Sequence, residues 1–405
     1  MGVASYSLAV RVSLLLSRFA VKAPGIHLRF SPAVLPETGA NLRFEVRALL
    51  EETRAAGMWL AEGLSWWGRN PELSRALGDA GFIGMTWPKQ YGGAERSQLE
   101  RYVVTEELLA AGAPTAFHWF ADRQIGPSIL RYGTEEQKQR FLPPIARGEL
   151  SFAVGMSEPD SGSDLASIRT RAERTDGGWR LNGSKIWTSY AHQAEYCVAL
   201  VRTAPRSDDR HAGMSQVIID LRNSHGITVR PIIDLPGRHD FNEVFFEDTF
   251  LPDDCLLGSP GDGWAQVTSE LAYERSGPER FLTNFHLLCA LIDVLGGSAS
   301  AAADREVGRL VSRLWALRTA SVSVAAMLEA GGTPNVESAL VKDLGTNFQQ
   351  ELPEVVRRVA ADEEICDRTL LDVLGQVVLA SPSYTIQGGA TEILRGIVAR
   401  GLRLR

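Results

Sequence analysis

The stretch FAVGMSEPDSGSDLASIRTRAE (152–173), followed by LNGSKIWTSYA (181–191), decides how the whole chain is interpreted. The apolar run FAVGM is typical of a strand. Pro159 ends that strand, because proline has no amide hydrogen to give to a neighbouring strand. The second segment alternates like a strand and carries Trp187 beside two hydroxyl residues. The sequence therefore predicts two strands that leave a polar loop and an aromatic residue at one edge of a sheet.

The loop between these strands is rich in small and hydroxyl residues. Gly162 predicts a backbone that takes positive φ and lets another molecule approach closely. Exposed amide groups and the hydroxyls of Ser157, Ser161 and Ser163 predict a donor-rich surface for phosphate, carbonyl or ring-nitrogen acceptors. An indole beside such donors can stack on a flat cofactor ring. The alternative interpretation is a hairpin edge whose tryptophan belongs to the core.

Size and composition limit the class of protein. The chain has 405 residues, of which 44% are hydrophobic, so a large core and two or three domains are expected. The net charge of −7, with acids and bases interspersed, argues against a nucleic-acid surface. The four cysteines fit neither a disulfide framework nor a zinc spacing, which indicates a reducing compartment. The seven histidines show no paired ligand spacing, so no metal is predicted.

The N-terminal segment 1–36 contains no acidic residue and alternates apolar residues with arginine, lysine and serine. That composition resembles a mitochondrial presequence, and the alternative is an unstructured or mis-started extension. No apolar run in the sequence approaches the length of a membrane span, so no membrane association is predicted.

The remaining chain changes pattern twice, which predicts an α+β protein. Segment 37–150 has helical periodicity, segment 151–258 has short β-rich runs between turns, and segment 259–405 is helical again. Thr134 and Gln137 predict a capping box that starts a helix, and Pro143 is expected to break it.

SEPDSGSD (157–164) and WTS (187–189) resemble the flavin-binding motifs of the acyl-CoA dehydrogenase family. The resemblance extends from about Asn41 to Arg400. It implies three domains: an N-terminal helical domain, a middle β-barrel and a C-terminal helical bundle. It also implies FAD as cofactor and the α,β-dehydrogenation of an acyl-CoA thioester, in which a base removes the α-proton while a hydride leaves the β-carbon for the flavin.

The resemblance also implies roles for particular residues. Trp187 should lie against the flavin ring, and Ser163 should lie near the phosphates or the pantetheine. The backbone N–H of Gly388 should help to hold the thioester oxygen. The other residues expected to bind the flavin are Met156, Ser157, Gly162, Ser189, Thr391 and Glu392.

The catalytic base can stand at either of two places in the family. The tail segment IQGGATEILRGIVAR (386–400) has Gly388 where one branch carries a glutamate. The segment SELAYERSGPERF (269–281) has Glu274 where the isovaleryl and long-chain branches carry it. The apolar stripe Trp264, Val267, Leu271 steps onto Glu274 at helical spacing, which predicts a partly desolvated carboxylate.

Glu270 and Glu279 are the other candidates for the base. Arg275 is expected to orient Glu274 or steady a carbonyl; the alternative for this glutamate and arginine is a surface ion pair that caps the turn before Gly277.

Two family features are absent from the sequence: an Arg-x-x-Phe-Gly segment, where this chain has 298–318, and a Gln-x-x-Gly-Gly loop, where it has 370–385. Both reach the flavin of the neighbouring subunit in the family. The expected partners are an acyl-CoA substrate, electron-transfer flavoprotein or a similar acceptor, and a second subunit in a homodimer, a homotetramer or a heterotetramer with a paralogue.

Two further functions remain open, a flavin oxidase or monooxygenase that uses O₂ and a non-catalytic scaffold subunit. The substrate is expected to be branched, bulky or of medium to long chain, as in lipid β-oxidation. The location is expected to be cytoplasmic, or the mitochondrial matrix if 1–36 is a presequence.

Overall fold

A computed structural model of the chain describes residues 30, 33–61, 67–297 and 299–404, without the side chains of 270–274. Most of the segment 1–36 lies outside the described residues, so its suggested targeting role stays a prediction. The described chain divides into two compact units. The β-unit consists of Arg69–Glu95 and Thr115–Leu271, and the helical unit consists of Arg96–Pro114, Ala272–Arg405 and the described residues before Arg69.

The region before the β-strands is helical, as expected. Its helices are α1 (Thr38–Ala55), α2 (Pro71–Asp79), α3 (Gln98–Ala110), α4 (Ala116–Phe120), α5 (Gly126–Tyr132) and α6 (Glu135–Ala146). Thr134 and Gln137 form the predicted capping box at the start of α6. The expected break at Pro143 is wrong. The helix continues through Pro143 and Pro144 and ends at Ala146, and the carbonyl oxygen of Pro143 accepts the amide hydrogen of Arg147 at 3.1 Å.

Eight strands form the sheet of the β-unit. They are β1 (Phe152–Gly155), β2 (Arg171–Thr175), β3 (Gly178–Lys185), β4 (Tyr196–Arg202), β5 (Met214–Asp220), β6 (Ile227–Ile232), β7 (Phe241–Pro252) and β8 (Leu256–Leu257). The strand order is β6-β7-β3-β2-β4-β5-β8, and β1 pairs in parallel with β4. Alternate residues point into a core that includes Ala153, Leu181, Val217, Val244 and Leu251.

The end of β1 and the end of β3 lie side by side. The amide hydrogen of Ile186 bonds to the carbonyl oxygen of Ser157 at 2.9 Å, directly beyond both strands. The residues that follow β1 and β3 therefore meet, whereas the strand expected to continue through Trp187 to Ser189 ends at Lys185.

The region after the strands is helical again. Its helices are α7 (Gly263–Arg275), α8 (Glu279–Leu282), α9 (Phe285–Leu295), α10 (Ala301–Glu329), α11 (Asn335–Asp362), α12 (Arg368–Ala380) and α13 (Thr391–Gly401). Helix α7 ends before Gly277 and Pro278, where a stop is expected from the sequence. The order helices, β-sheet, helices confirms the expected fold class, whereas the domain limits 37–150, 151–258 and 259–405 stay predictions.

The four cysteines are free thiols. Burial raises the pKa of Cys197 and of Cys255 to about 12, so both thiols are protonated at neutral pH and unreactive. Among the described residues, no helix combines the length and the apolar character needed to cross a bilayer.

Candidate active site

The predicted site residues fall into two groups, one in each unit. The rim is defined as Met156, Ser157 and Trp187–Ser189 of the β-unit. The glycine loop is defined as residues 386–390 of the helical unit, which precede α13. Each group is described by itself.

Trp187 is an exposed aromatic residue with an unusual backbone. Its side chain is 55% exposed, and its φ of 59° lies in the left-handed region, which residues other than glycine rarely adopt. Its indole packs edge-on against Phe241, with ring centroids 5.9 Å apart. Tyr190, three residues later, has a φ of 54°. The interpretation of Trp187 as a core residue is therefore wrong, because most of its surface faces outward.

Hydroxyl groups on the rim have no partner inside the described part of the chain. Ser157 and Ser189 are half-buried, and their hydroxyls bond to no described residue. The hydroxyl of Thr188 is fully buried and likewise without a partner there. Buried polar atoms nearly always form hydrogen bonds in folded proteins. Hydroxyl donors without a protein partner, next to an exposed indole, are therefore suited to a flat ligand that carries acceptors.

The polar loop of 158–164 is closed by its own hydrogen bonds. The amide hydrogen of Glu158 bonds to the carbonyl of Ser161 at 2.9 Å, and that of Ser161 returns to Glu158 at 3.0 Å. Ser163 is exposed, and its hydroxyl has no described partner. Gly162 is also exposed, but it is not at positive φ, and an added Cβ would meet open space. The expected positive φ at Gly162 is therefore wrong.

The glycine loop contains two residues in the left-handed region, Gly388 at φ 71° and Gly389 at φ 107°. A Cβ added to Gly388 would lie 2.7 Å from the Nη2 atom of Arg280, and one on Gly389 would lie 3.4 Å from Nη2 of Arg275. The guanidinium of Arg280 therefore occupies the space that a side chain at Gly388 would need, whereas a Cβ at Gly389 would make an ordinary van der Waals contact with Arg275. Arg280 is 6% exposed, and its Nε lies 3.4 Å from the carboxylate of the buried Glu279.

Glu274 and Glu270 lie in α7, but their side chains are outside the described residues, so their assignments stay predictions. The start of the apolar stripe is confirmed, since Trp264 and Val267 pack against Ile168, Leu200 and Met214 of the β-unit.

Arg275 is 8% exposed, so the alternative of a surface ion pair is wrong. In α13, Thr391 is buried and its hydroxyl donates to the carbonyl of Thr385 at 3.2 Å, whereas Glu392 is exposed.

No role for Arg280 or Lys185 is predicted from the sequence. Arg280 reaches Gly388 only through the packing of distant segments. Lys185 stands inside the quoted stretch, in a strand that is otherwise core on one face. A lysine at a core position of an alternating strand is a signal that an inspection of the sequence can find.

The chain has a β-sheet that helices precede and follow in the sequence, with an exposed aromatic and hydroxyls without a described partner on the rim. Family models identify the class of protein to which it belongs. The model described as acyl-CoA dehydrogenase, N-terminal domain, matches residues 37–149, and the model described as acyl-CoA dehydrogenase, middle domain, matches residues 153–249.

Individual relatives and solved structures give the same family. Acyl-CoA dehydrogenase IpdE1 of Mycobacterium tuberculosis is 33% identical over 379 residues, which is 89% of this chain and 96% of the relative. Acyl-CoA dehydrogenase FadE34 of the same organism is 34% identical over 90% of this chain, which spans about half (48%) of that longer protein.

The solved Tcur3481-Tcur3483 steroid ACAD has a TM-score of 0.78 at 29% identity, covering 91% of this chain and 97% of that one. The chain belongs to the acyl-CoA dehydrogenase family, whose members are oxidoreductases.

Proposed function

We propose that this chain catalyses the FAD-dependent α,β-dehydrogenation of an acyl-CoA thioester, with Glu274 as the base that removes the α-proton. The acyl group is bulky and polycyclic, of the steroid type. The observation that carries the proposal is the rim, where an exposed indole on a strained backbone stands beside hydroxyls that no described residue satisfies.

The rim residues fit a flavin. An isoalloxazine ring presents a flat apolar face and an edge of oxygen and nitrogen acceptors, which match the indole of Trp187 and the hydroxyls of Ser157 and Ser189. When bound, FAD supplies the acceptor for the hydride that leaves the β-carbon. The protein supplies the orientation of the ring and the base.

The glycine loop supports a base on α7. Gly388 stands where one branch of the family carries its glutamate, and the guanidinium of Arg280 fills the space of any side chain there. A base is still required, since the α-proton of a thioester is weakly acidic. Glu274 on the apolar stripe of α7 is the carboxylate that the sequence places best, and the buried Glu279 is the competitor that the test must separate from it.

The proposed substrate class is based on the similarity of this chain to two solved structures. A structure described as a steroid ACAD resembles this chain over 91% of its length, and the ChsE4-ChsE5 complex from Mycobacterium tuberculosis resembles it over 93% at 27% identity. Electron-transfer flavoprotein or a similar carrier is the expected acceptor, and the cytoplasm is the expected location.

The test is an anaerobic titration of the purified FAD-loaded protein with straight-chain, branched and steroid-type acyl-CoAs, following the flavin absorbance. We expect bleaching by the bulky substrates. Glu274→Gln should keep bound FAD and slow the bleaching by about a hundredfold to ten-thousandfold, the usual contribution of a general base. Glu279→Gln is the matched control. If Glu274→Gln bleaches normally and Glu279→Gln does not bleach, Glu279 and not Glu274 is the catalytic base.

A scaffold subunit is the second candidate, favoured by the absence of the two family segments that reach a neighbouring flavin and by the likeness to a two-component complex. In that case the chain purified alone binds no FAD, and bleaching requires co-expression with a catalytic paralogue. The same titration distinguishes the two functions.

A further inference from the structure

Lys185 is a fully buried lysine directly below the rim. It is the last residue of β3 and has 0% exposure. Its Nζ donates to the carbonyl oxygen of Met156 at 3.2 Å and to the carboxylate of Glu158 at 2.8 Å. One ammonium group thus contacts the residues on both sides of Ser157.

Glu158 is itself held at several points. Its carboxylate accepts the amide hydrogens of Arg169 at 2.6 Å and Thr170 at 3.0 Å, in addition to the ammonium of Lys185. Burial raises the pKa of Glu158, but the charge of Lys185 and these donors outweigh it, so the pKa lies below its ordinary value. The carboxylate therefore stays charged at neutral pH. Burial lowers the pKa of Lys185, and the charge of Glu158, 2.8 Å away, opposes that shift and favours the ammonium form.

The contact with Met156 fixes the direction of the next amide hydrogen. In a planar trans peptide the C=O and the N–H point in opposite directions, so holding the Met156 oxygen toward Lys185 turns the Ser157 N–H away from it. The carbonyl of Ser157 is held in turn by the amide of Ile186 at 2.9 Å. A cation at the carbonyl also polarises the peptide and strengthens its N–H as a donor.

We propose that Lys185 is a positioning residue, which orients and polarises the Met156–Ser157 peptide so that the Ser157 N–H is a strong, fixed donor to the flavin ring edge. Glu158 holds Lys185 in that role. The proposal rests on the proposed FAD site. Since reduction adds electron density to the ring, a stronger donor at its edge stabilises the reduced form more than the oxidised form. Lys185 therefore raises the reduction potential of the bound flavin.

The main experiment removes both charges together, because removing the lysine alone leaves an uncompensated buried carboxylate. In FAD-loaded Lys185→Met/Glu158→Gln, reduced FAD should bind about tenfold more weakly relative to oxidised FAD than in the wild type. That ratio corresponds to a midpoint potential about 30 mV more negative for a two-electron couple. The potential is measured by dithionite titration against reference dyes, so it needs no acyl-CoA.

The matched control is Lys342→Met. Lys342 is also fully buried, and it donates to a backbone carbonyl, that of Tyr384, at 2.8 Å. This variant should lower the melting temperature and leave the flavin potential unchanged. A shift of the same size in Lys342→Met, or no shift in the double variant, would reduce Lys185 to a structural role.

A measurement on the wild type covers the case in which the double variant does not fold. Hydrogen–deuterium exchange of the segment around Ser157 is compared with and without FAD. Exchange of this amide should slow at least about tenfold when FAD binds, as for an amide that gains a hydrogen bond, and unchanged exchange overturns the proposal. Failure of the wild-type protein to bind FAD would contradict the assignment of FAD as the cofactor. If the wild type binds FAD and the double variant has an unchanged flavin potential, only the role of Lys185 is contradicted.

Discussion

The rim and the glycine loop both contain left-handed backbone, but different residues carry it. At the rim the residues are Trp187 and Tyr190, with φ of 59° and 54°. In the glycine loop they are Gly388 and Gly389, with φ of 71° and 107°. The left-handed conformation destabilises a residue that carries a Cβ by about 1–2 kcal/mol, whereas it hardly destabilises glycine. Strain is thus present in one region and avoided in the other.

The difference shows which part of each residue is used. At the rim the backbone is strained although glycine would relieve it, which indicates that the indole of Trp187 is needed. In the glycine loop the guanidinium of Arg280 lies beside Gly388, and the two glycines take the left-handed conformation without strain.

Among substitutions that test this difference, Gly388→Glu is expected to have the largest effect, a loss of stability. The substitution places a side chain at positive φ and requires the Arg280 guanidinium to move, so it should lower the free energy of unfolding by about 1–2 kcal/mol or more. Urea unfolding measures this loss. In a Glu274→Gln background the new glutamate should restore no bleaching of the flavin.

The same change at Gly162 is the matched control. Gly162 is exposed, has no positive φ and faces open space, so Gly162→Glu should change the unfolding free energy by no more than about 0.5 kcal/mol. Equal losses at both glycines would contradict the role assigned to Arg280.

Trp187→Gly separates ligand binding from stability. FAD affinity should fall about tenfold to a hundredfold, since stacking of a flat heteroaromatic on a side chain is worth about 1–3 kcal/mol. The FAD-free protein should lose no stability, because relief of the positive φ offsets the lost contact with Phe241. Fluorescence titration and thermal unfolding of the FAD-free protein measure the two effects.

Phe250 serves as the control for Trp187, since it is another exposed aromatic of the β-unit, at 42% exposure. Phe250→Ala should leave FAD affinity unchanged. A loss of FAD-free stability in Trp187→Gly as large as the loss of affinity would show that the indole acts through folding.

The smallest expected effect is a pH dependence near the rim. Burial, and next the neighbouring imidazole of His239, lower the pKa of His192; the two rings stack with centroids 3.7 Å apart. Since the folded pKa lies below the unfolded value of about 6.5, the unfolded chain binds more protons between the two values. Stability should therefore fall as the pH drops below about 6.5.

His192→Gln should remove part of that slope in urea unfolding at pH 5 to 8, while His225→Gln, at an exposed histidine, should leave it unchanged. A slope that survives in His192→Gln would assign the pH dependence to other groups.

Much of the rim was accessible from the sequence because its residues are close together in the chain. The motif places Trp187 beside hydroxyls, as found, whereas β1 ends at Gly155, four residues before the proline expected to end it. The positive φ expected at Gly162 is wrong, since its backbone lies outside the left-handed region. Lys185 was overlooked because its partners become evident only when β1 and β3 lie side by side.

By itself, the sequence determined the order of helical and β regions and the polar segments that form the rim, because periodicity and residue chemistry act over a few neighbouring positions. Only the tertiary structure decided that Arg280 occupies the space beside Gly388 and that Lys185 holds the Met156 carbonyl. Such contacts join segments far apart in the chain, and they depend on how whole elements pack, which local pattern does not specify.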